Sequence, residues 1–500
     1  MSETSILSEL KSTLSEHVLN HFYIDGKWVR SLGDSRYTLV SPSTETPWLT
    51  VPLANGADVD RAIAAARVAF DTGPWPRMSG PERGVVLRAL ASAIRERLPQ
   101  LAKLWTAQAG APYSFTQSMI KAGQQRFDFF AYQAETYDFQ TLRTTLNGSA
   151  RVRREPVGVA ALIAPWNATF PILSNKIAAA LAAGCTVVVK SPVECPLDAL
   201  IIAECAHAAG LPAGVLNVLT GDREESSRLV RSPDVDKISF TGSVDAGKAI
   251  AGVAAQRIAR TTLELGGKSA AILLDDVDIS TALAALSPFT MPFSGQICFS
   301  QTRILVPHTR AREITEAYAA IVEQWKIGDP WDETTRIGPL LNPRQYARVL
   351  GYIDQGKAEG ATLVTGGTRA AGHDVGHFVA PTVFRDVTPG MTLAQQEIFG
   401  PVVSILSYRT QEEAISIAND SAFGLSGSVF SGDVERACSV ACHLRTGHVG
   451  INGLELSPVV PFGGFKTSGI GREGGREGLE AYLECKSIML PFDPSFPSPF

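Results

Sequence analysis

Short apolar runs typical of β-strands alternate with helix-like segments in the middle of the chain. The strand-like runs lie at residues 157–164, 186–189, 215–219, 237–240 and 261–265, and the helical segments at 172–183, 197–209, 224–231 and 245–255. Gly210 and Pro212 follow the second of these helices, as is common at a helix C-terminus. Strand–helix alternation with short connections predicts a parallel sheet covered by helices on both faces. We therefore expect a doubly wound, Rossmann-like α/β domain.

Polar residues or glycines stand at the carboxyl end of each of these five predicted strands. They include Asn167, Lys190, Gly221, Ser243 and Glu264. Ligands of open parallel sheets bind outside the carboxyl ends of the strands, where these residues would meet. Ordinary βα turns use similar small polar residues. Asn167, Lys190 and Glu264 are not typical turn residues, which favours a binding or catalytic site.

A second set of α/β elements is predicted from about residue 268 to 455. Its strands are expected at 302–306, 402–406 and 428–430, so we predict a second domain with a cleft between the two. Residues 1–130 are expected to be mostly helical, around 62–70 and 85–104. Apolar residues at helical spacing also predict one short amphipathic helix near the N-terminus, formed by Ile6, Leu7, Leu10, Leu14 and Val18.

Composition narrows the class of protein. The 500 residues are 45% hydrophobic and 19% charged with a net charge of −5, which is typical of a soluble globular protein of two or three domains. The small negative charge makes nucleic acid an unfavoured partner. The apolar stretch 177–189 is too short to span a membrane. Seven sparsely spread cysteines and the absence of a signal-peptide pattern predict reduced thiols and a cytoplasmic location.

Three motifs need alternative explanations. Residues 242–248 have the spacing of a nucleotide-binding P-loop, but Ala249 stands where Ser or Thr must hold Mg²⁺. What remains is a strand, a glycine turn and a helix N-terminus, and this arrangement can still bind an anion. Residues 469–474 match a dinucleotide fingerprint without the preceding strand that it requires. The Cys438, Cys442 and His443 cluster is better explained by packed helical residues than by a metal, and no metal is predicted.

The segment 295–300 carries the strongest chemical signal. Cys298 lies there between a stretch rich in Gly, Pro and Ser and the strand expected near residue 302. A loop of this kind can leave a sulfur accessible, whereas the alternative is a buried, inert thiol.

Here the sequence resembles the aldehyde dehydrogenase superfamily over nearly its whole length. Six motifs occur in the family order: Pro165-Trp166-Asn167, Phe240-Thr241-Gly242-Ser243, Leu263-Glu264-Leu265-Gly266-Gly267-Lys268-Ser269, Gly295-Gln296-Ile297-Cys298, Glu397-Ile398-Phe399-Gly400-Pro401 and Pro461-Phe462-Gly463-Gly464-Phe465-Lys466. Any one motif could arise by chance, but all six in order are specific.

The resemblance implies a mechanism. Cys298 would attack the aldehyde as a thiolate, with the oxyanion held by the Asn167 amide and the Cys298 backbone N–H. After hydride transfer to a nicotinamide, Glu264 would activate the water that hydrolyses the thioester. Lys176 and Glu473 would support the associated proton and water network.

The resemblance also implies the ligand contacts. NAD would be the cofactor, with NADP possible because Val193 replaces a glutamate that usually binds the adenosine ribose. The expected cofactor contacts are Trp166, Lys190, Ser191, Gly221, Thr241, Gly242, Ser243, Leu265, Gln345, Arg348, Glu397 and Phe399. The expected substrate-pocket residues are Phe170, Asn175, Ile297, Phe299, Leu456 and Phe462. This lining is largely apolar and contains no obvious arginine, so we expect an aliphatic, terpenoid or aromatic aldehyde.

The implied organisation is a cofactor-binding domain (1–130 and 153–262), a catalytic domain (263–455) and a return segment (456–479). Residues 131–152 and 480–500 would form a small β arm that joins subunits into a dimer or a dimer of dimers. The remaining alternatives are a CoA-acylating enzyme of the same fold, which generally lacks the base at position 264, an inactive structural homologue, and an NTPase.

Overall fold

The computed structural model describes residues 3–146 and 148–491. Its strands are short, as expected for an α/β protein. In chain order they are β1 (Phe22–Ile24), β2 (Lys27–Val29), β3 (Arg36–Val40), β4 (Pro47–Pro52), β5 (Gln140–Thr145), β6 (Gly148–Pro156), β7 (Val159–Ile163), β8 (Thr186–Ser191), β9 (Leu216–Thr220), β10 (Lys237–Thr241), β11 (Arg260–Glu264), β12 (Ala270–Leu273), β13 (Arg303–Pro307), β14 (Thr362–Thr365), β15 (Thr382–Arg385), β16 (Val402–Tyr408), β17 (Ser426–Phe430), β18 (His448–Ile451), β19 (Gly469–Ile470) and β20 (Leu483–Met489).

The helices occupy most of the N-terminal region and the connections between strands. They are α1 (Glu3–Ser12), α2 (Glu16–Asn20), α3 (Gly56–Asp71), α4 (Gly80–Glu96), α5 (Leu98–Ala109), α6 (Tyr113–Thr136), α7 (Thr169–Ala183), α8 (Leu197–Ala208), α9 (Arg223–Arg231), α10 (Val244–Gln256), α11 (Ile279–Leu286), α12 (Ala311–Glu323), α13 (Pro343–Ala358), α14 (Thr392–Gln395), α15 (Gln411–Asn419), α16 (Val434–Ala441) and α17 (Gly475–Glu480).

Two large sheets form the framework. The first has eight strands in the order β19-β11-β10-β7-β8-β9-β1-β2, and its five central strands, β11 to β9, are parallel. These five strands are the five predicted from the apolar runs. The second sheet has seven strands in the order β14-β15-β16-β13-β12-β17-β18, parallel except for β14. The expected α/β fold with a Rossmann-like sheet and a second α/β sheet is confirmed.

Helices cover both faces of the first sheet. Alternate side chains of β7 point to opposite faces: Ala160 and Leu162 pack in one buried cluster with α7 and α8, whereas Ala161 and Ile163 pack in another with α3. Because both faces are buried, the central strands carry continuous apolar runs rather than alternating ones. This explains why the runs could be recognised in the sequence.

Some predicted elements differ from the structure. The prediction of a single N-terminal helix is wrong, because the segment forms two helices, α1 and α2. Ser15 accepts a hydrogen bond from the N–H of Val18 and so starts the second helix. The helix expected around 85–104 is also divided, because α4 ends at Glu96 and α5 begins at Leu98 with Pro99 in its first turn.

A small antiparallel sheet in the order β20-β6-β5 lies in the segments expected to form an arm. Residues 131–136, expected in this arm, instead form the end of α6. The last part of the predicted arm, residues 492–500, lies outside the described residues. No helix within 3–146 and 148–491 is long and apolar enough to cross a membrane.

Candidate active site

The carboxyl ends of the central strands bring the first candidate residues together. Asn167 follows β7, Ser243 follows β10 and Glu264 is the last residue of β11. These three strands are neighbours in the sheet, so the residues after them share one edge. Ser243 caps α10, whose first N–H groups point towards this edge.

Cys298 follows a sharp turn of the chain at Pro292–Gly295. Phe293 and Ser294 have φ of 47° and 56°, and a Cβ atom on Gly295 would lie 2.0 Å from the carbonyl oxygen of Gly400. Glycine is therefore required where this turn approaches the 397–401 segment. The Nδ2 group of Asn167 donates a hydrogen bond of 2.8 Å to the carbonyl oxygen of Gln296, which fixes the amide beside the Cys298 loop.

Burial raises the pKa of the Cys298 thiol well above its ordinary value, and Glu397 and Glu264 add to the rise. Burial likewise raises the pKa of Glu264, with the Glu473 carboxylate as the next cause. Glu264 is 4% exposed, and neither carboxyl oxygen has a hydrogen-bond partner among the described residues. A buried polar group without a protein partner is suited to binding a water molecule or a substrate.

Lys176 and Glu473 form a buried ion pair behind Glu264. The Lys176 ammonium group lies 2.5 Å from Oε1 of Glu473 and donates to the Ser239 hydroxyl at 2.9 Å. Lys176 also acts on Glu264, since its charge lowers the pKa that burial and Glu473 raise. The structure thus brings together all five residues expected to be catalytic: Cys298, Glu264, Asn167, Lys176 and Glu473.

Two cavities meet at Cys298. Four residues line both of them: Asn167, Ile172, Thr241 and Cys298. We call the cavity that also contains Glu264 the tunnel; its volume is about 820 Å³, including space open to solvent. The remaining tunnel residues are Met119, Arg126, Ala168, Pro171, Asn175, Ile297, Phe299, His448, Leu456, Ser457, Val460, Phe462, Glu473 and Gly474.

We call the other cavity the cleft. Its remaining residues are Pro165, Trp166, Gly242, Ser243, Leu265, Gly266, Gln345, Arg348, Glu397 and Phe399. The Gly267 N–H donates to Oε1 of Glu397 at 3.0 Å, and burial raises the pKa of Glu397 to about 7. The Gln345 and Arg348 side chains hold this segment through the carbonyl oxygens of Phe399 and Glu397.

This set of groups fits a dinucleotide. A helix N-terminus at Ser243 suits a pyrophosphate, and a carboxyl group at Glu397 suits ribose hydroxyls. Trp166 and Phe399 meet edge to face with ring centroids 5.6 Å apart, forming an aromatic wall.

Four of the expected contacts do not line either cavity. Lys190, Ser191 and Gly221 lie at the ends of β8 and β9. Burial lowers the pKa of Lys190 to about 8, although the nearby carboxylates of Glu194, Asp222 and Glu225 act to raise it. Phe170 is fully buried, with its ring against Gly123, so it lies behind the tunnel wall rather than in it.

Met119, Arg126 and His448 also line the tunnel, although the sequence analysis did not select them. The expectation of a lining without an arginine is therefore wrong. Met119 and Arg126 are seven positions apart on α6, which places them on one face of that helix. A periodicity argument could have paired them, but nothing in the sequence indicates which element this face meets.

Comparisons with known proteins agree with this geometry. The sequence profile of the aldehyde dehydrogenase family matches residues 28–488. The chain is 43% identical to geranial dehydrogenase of Castellaniella defragrans over 94% of its own length and 98% of the relative.

Two solved structures are similar throughout. An aldehyde dehydrogenase of Mycobacterium tuberculosis complexed with NAD⁺ has a TM-score of 0.93 and 44% identity, covering 95% of this chain and 98% of that one. A mutant of aldehyde dehydrogenase C from Pseudomonas syringae, complexed with NAD⁺ and octanal, has a TM-score of 0.93 and 40% identity, covering 96% and 99%. The chain belongs to the aldehyde dehydrogenase family and is an oxidoreductase that acts on aldehydes.

Proposed function

We propose that this protein oxidises aldehydes with a largely apolar body to carboxylic acids, with NAD⁺ as the cofactor and Cys298 as the nucleophile. The observation that carries the proposal is the position of Cys298 where the tunnel meets the cleft. An aldehyde carbon in the tunnel and a nicotinamide in the cleft would both reach this sulfur. The relatives that act on geranial or hold octanal support an apolar substrate.

The first step joins the Cys298 sulfur to the aldehyde carbon. The negative charge that develops on the aldehyde oxygen is stabilised by the Cys298 N–H and by Nδ2 of Asn167, which has a second hydrogen besides the one given to Gln296. The product is a thiohemiacetal. Burial and two nearby carboxyl groups raise the pKa of Cys298, which makes its thiolate unfavourable. A positive charge close to the sulfur is therefore needed to stabilise the thiolate when it reacts.

NAD⁺, when bound, supplies the acceptor for a hydride and so allows oxidation to the thioester. The cleft that would hold the cofactor is lined by Trp166, Ser243, Glu397 and Phe399. The other expected cofactor contacts in this cleft are Thr241, Gly242, Leu265, Gln345 and Arg348. Lys190, Ser191 and Gly221 would meet its adenosine end beyond the cleft.

Glu264 removes a proton from water, and the resulting hydroxide attacks the thioester carbon. The carbon–sulfur bond then breaks, which releases the carboxylic acid and returns the sulfur of Cys298. Glu264 can take up this proton because its pKa is raised, and the Lys176–Glu473 pair lies beside it to pass the proton on.

NAD⁺ is proposed ahead of NADP⁺, although Val193 provides no carboxylate to repel a 2′-phosphate. The nearby Glu194 provides such a carboxylate. Burial raises the pKa of Glu194, and the charge of the nearby Lys190 partly offsets this rise. The ratio of kcat/KM for NAD⁺ and NADP⁺ tests this, and a ratio strongly favouring NADP⁺ would overturn it.

The main experiment measures NADH formation from octanal and geranial with and without CoA. We expect activity without CoA in the wild type and none in Cys298→Ser. NADH that forms only after CoA is added would identify the CoA-acylating alternative. An inactive wild type would point to a structural homologue.

The proposal includes an assembly. β5, β6 and β20 form an arm that would join subunits of a homodimer or homotetramer, while 1–130 with 153–262 would bind cofactor and 263–455 would carry the nucleophile. The free cysteines fit the cytoplasm as the proposed location. Size-exclusion chromatography with light scattering tests the assembly.

A further inference from the structure

Arg126 places a positive charge in the tunnel wall that no carboxylate of the described residues neutralises by a salt bridge. Arg126 lines the tunnel, and its one hydrogen bond within the described chain is from Nη1 to the carbonyl oxygen of Ala122, at 3.1 Å. Guanidinium has five N–H donors, so most of them remain available. Burial lowers the pKa of Arg126 to about 10, which leaves the group charged at neutral pH.

Close packing of two helices holds Arg126 in this position. Gly123 lies one turn before Arg126 on α6, and a Cβ atom there would lie 2.7 Å from the Phe170 ring and 3.3 Å from Cα of Pro171. Contact at Gly123 therefore brings α6 directly against the first turn of α7. The next turn of each helix carries a tunnel residue, Arg126 on α6 and Asn175 on α7.

The other ionisable groups of the tunnel do not cancel this charge. Glu473 is the carboxylate that acts on Arg126 electrostatically, but it is already bound to Lys176. Glu264 is not among the described charges that act on Arg126, and burial lowers the pKa of His448, which favours its neutral form. Asn175 contributes an Oδ1 atom that has no hydrogen-bond partner within residues 3–146 and 148–491.

The chemistry of this wall is specific. The tunnel wall combines apolar side chains, among them Ile172, Ile297 and Phe299, with the polar side chains of Arg126 and Asn175. Recognition of a quaternary ammonium group requires several aromatic faces and no competing cation. Among the described residues that line the tunnel, only Phe299 and Phe462 carry phenyl rings, and Arg126 would repel such a group.

We propose that Arg126 selects aldehydes whose apolar chain carries an oxygen acceptor, a carboxylate or a ketone, away from the aldehyde group. The guanidinium donates hydrogen bonds to this oxygen, and the same charge excludes cationic aldehydes. This inference rests on the proposed function, since it names the far end of the same substrate.

The test compares kcat/KM for unbranched alkanals, ω-oxo acids, oxo-aldehydes with a terminal methyl ketone, and aldehydes with a terminal trimethylammonium group, each series with six to ten carbons. For at least one length we expect wild-type kcat/KM for the ω-oxo acid or the oxo-aldehyde to exceed that of the matching alkanal about tenfold or more, as for hydrogen bonds to a charged group. The better of the two identifies the acceptor, and the cationic series should be the poorest.

Two variants and a control locate the effect. Arg126→Met should bring the ratio of kcat/KM for the acceptor-bearing aldehyde to kcat/KM for the matching alkanal close to one or below. It should also raise kcat/KM for the cationic aldehydes relative to the alkanals. Arg126→Lys should keep part of the preference for the carboxylate and the rejection of cations. Lys121→Met removes an exposed positive charge from the same helix outside the tunnel and should keep the wild-type ratios.

The possible failures can be distinguished. If no acceptor-bearing aldehyde of any length exceeds its alkanal in the wild type, or if Arg126→Met lowers kcat/KM equally for every series, the inference is wrong. Equal loss would mean that Arg126 supports Glu473 and its proton network instead. If alkanals give no NADH at all, the proposed function itself fails.

Discussion

The ammonium group of Lys176 lies 2.5 Å from Oε1 of Glu473, although the two residues are 297 positions apart in the chain. Lys176 is completely buried and the Glu473 side chain is 8% exposed. Two charges that leave water together need one another, because each alone would carry an unbalanced desolvation cost. The pair therefore joins the last part of the chain to α7 and, through the Ser239 hydroxyl, to β10 of the first sheet.

Removal of one partner of this pair should destabilise the protein strongly. We expect Lys176→Met to lower the free energy of unfolding by about 3 kcal/mol, as for other broken buried pairs, because Glu473 remains buried without its counter-charge. Urea denaturation followed by fluorescence measures this. The double variant Lys176→Met with Glu473→Leu is the control and should recover much of the loss. If the two single effects simply add in the double variant, the residues are not coupled.

Glu264→Gln should separate oxidation from hydrolysis. The amide cannot take a proton from water, so the enzyme should form about one equivalent of NADH per site and then stop as the thioester. Stopped-flow absorbance records the burst, and mass spectrometry detects the acyl group on Cys298. Steady turnover of this variant at the wild-type rate would show that another group activates the water.

The raised pKa of the Cys298 thiol predicts a distinct pH dependence of its reactivity. Only the thiolate reacts with iodoacetamide, so in the enzyme without cofactor the rate at Cys298 should keep rising with pH above 9. The exposed Cys442 and Cys485 provide internal controls in the same sample. Peptide mass spectrometry resolves each site. A Cys298 rate that levels off below pH 8 would contradict the raised pKa.

The steady-state rate should also fall as the pH decreases through the raised pKa of Glu264. The protonated acid cannot accept a proton from water, so the loss of hydrolysis should begin at a higher pH than for an ordinary glutamate. A pH profile of kcat measures this. In Glu264→Gln the burst amplitude should not show that decline, which separates Glu264 from other titrating groups.

Gly123→Ala should damage the contact between α6 and α7. A methyl group there would come within 2.7 Å of the Phe170 ring, so the helices must separate, at a cost of about 1–3 kcal/mol. Gly351→Ala is a matched control, since Gly351 is exposed within α13 and a Cβ atom there meets nothing within 4 Å. That change should stabilise the protein by about 0.5–1 kcal/mol. Thermal unfolding compares the two, and equal effects would refute the packing argument.

The sequence predicted the parts of the fold whose signals are local. The continuous apolar runs of β7 to β11 mark strands buried on both faces, and polar residues at their ends mark the edge where Asn167 and Glu264 meet. Elements without such a signal were missed or misjudged. β1 and β2 join the first sheet although they lie more than 100 residues before β7, and only long-range pairing places them there.

The composition of the tunnel was predictable only in part. Ile297 and Phe462 belong to motifs, Phe299 follows one directly and Leu456 lies five positions before another. The structure places all four in the tunnel wall. Arg126 lies on a mixed polar helix, where an arginine in the sequence is indistinguishable from a solvated one. Its exposure to the tunnel depends on the packing of α6 against α7, which no local pattern specifies.

The position of β19 and Glu473 near the end of the chain has a consequence for biosynthesis. β19 pairs with β11 at the edge of the first sheet, and β20 pairs with β6, so both additions are translated after β18. A nascent chain that stops at β18 contains Cys298, Asn167 and Glu264 but leaves Lys176 without its counter-ion. At about 5–20 residues per second, the missing segment follows within seconds. The site therefore gains this ion pair only after Glu473 has been synthesised, and we expect products that stop at β18 to be inactive.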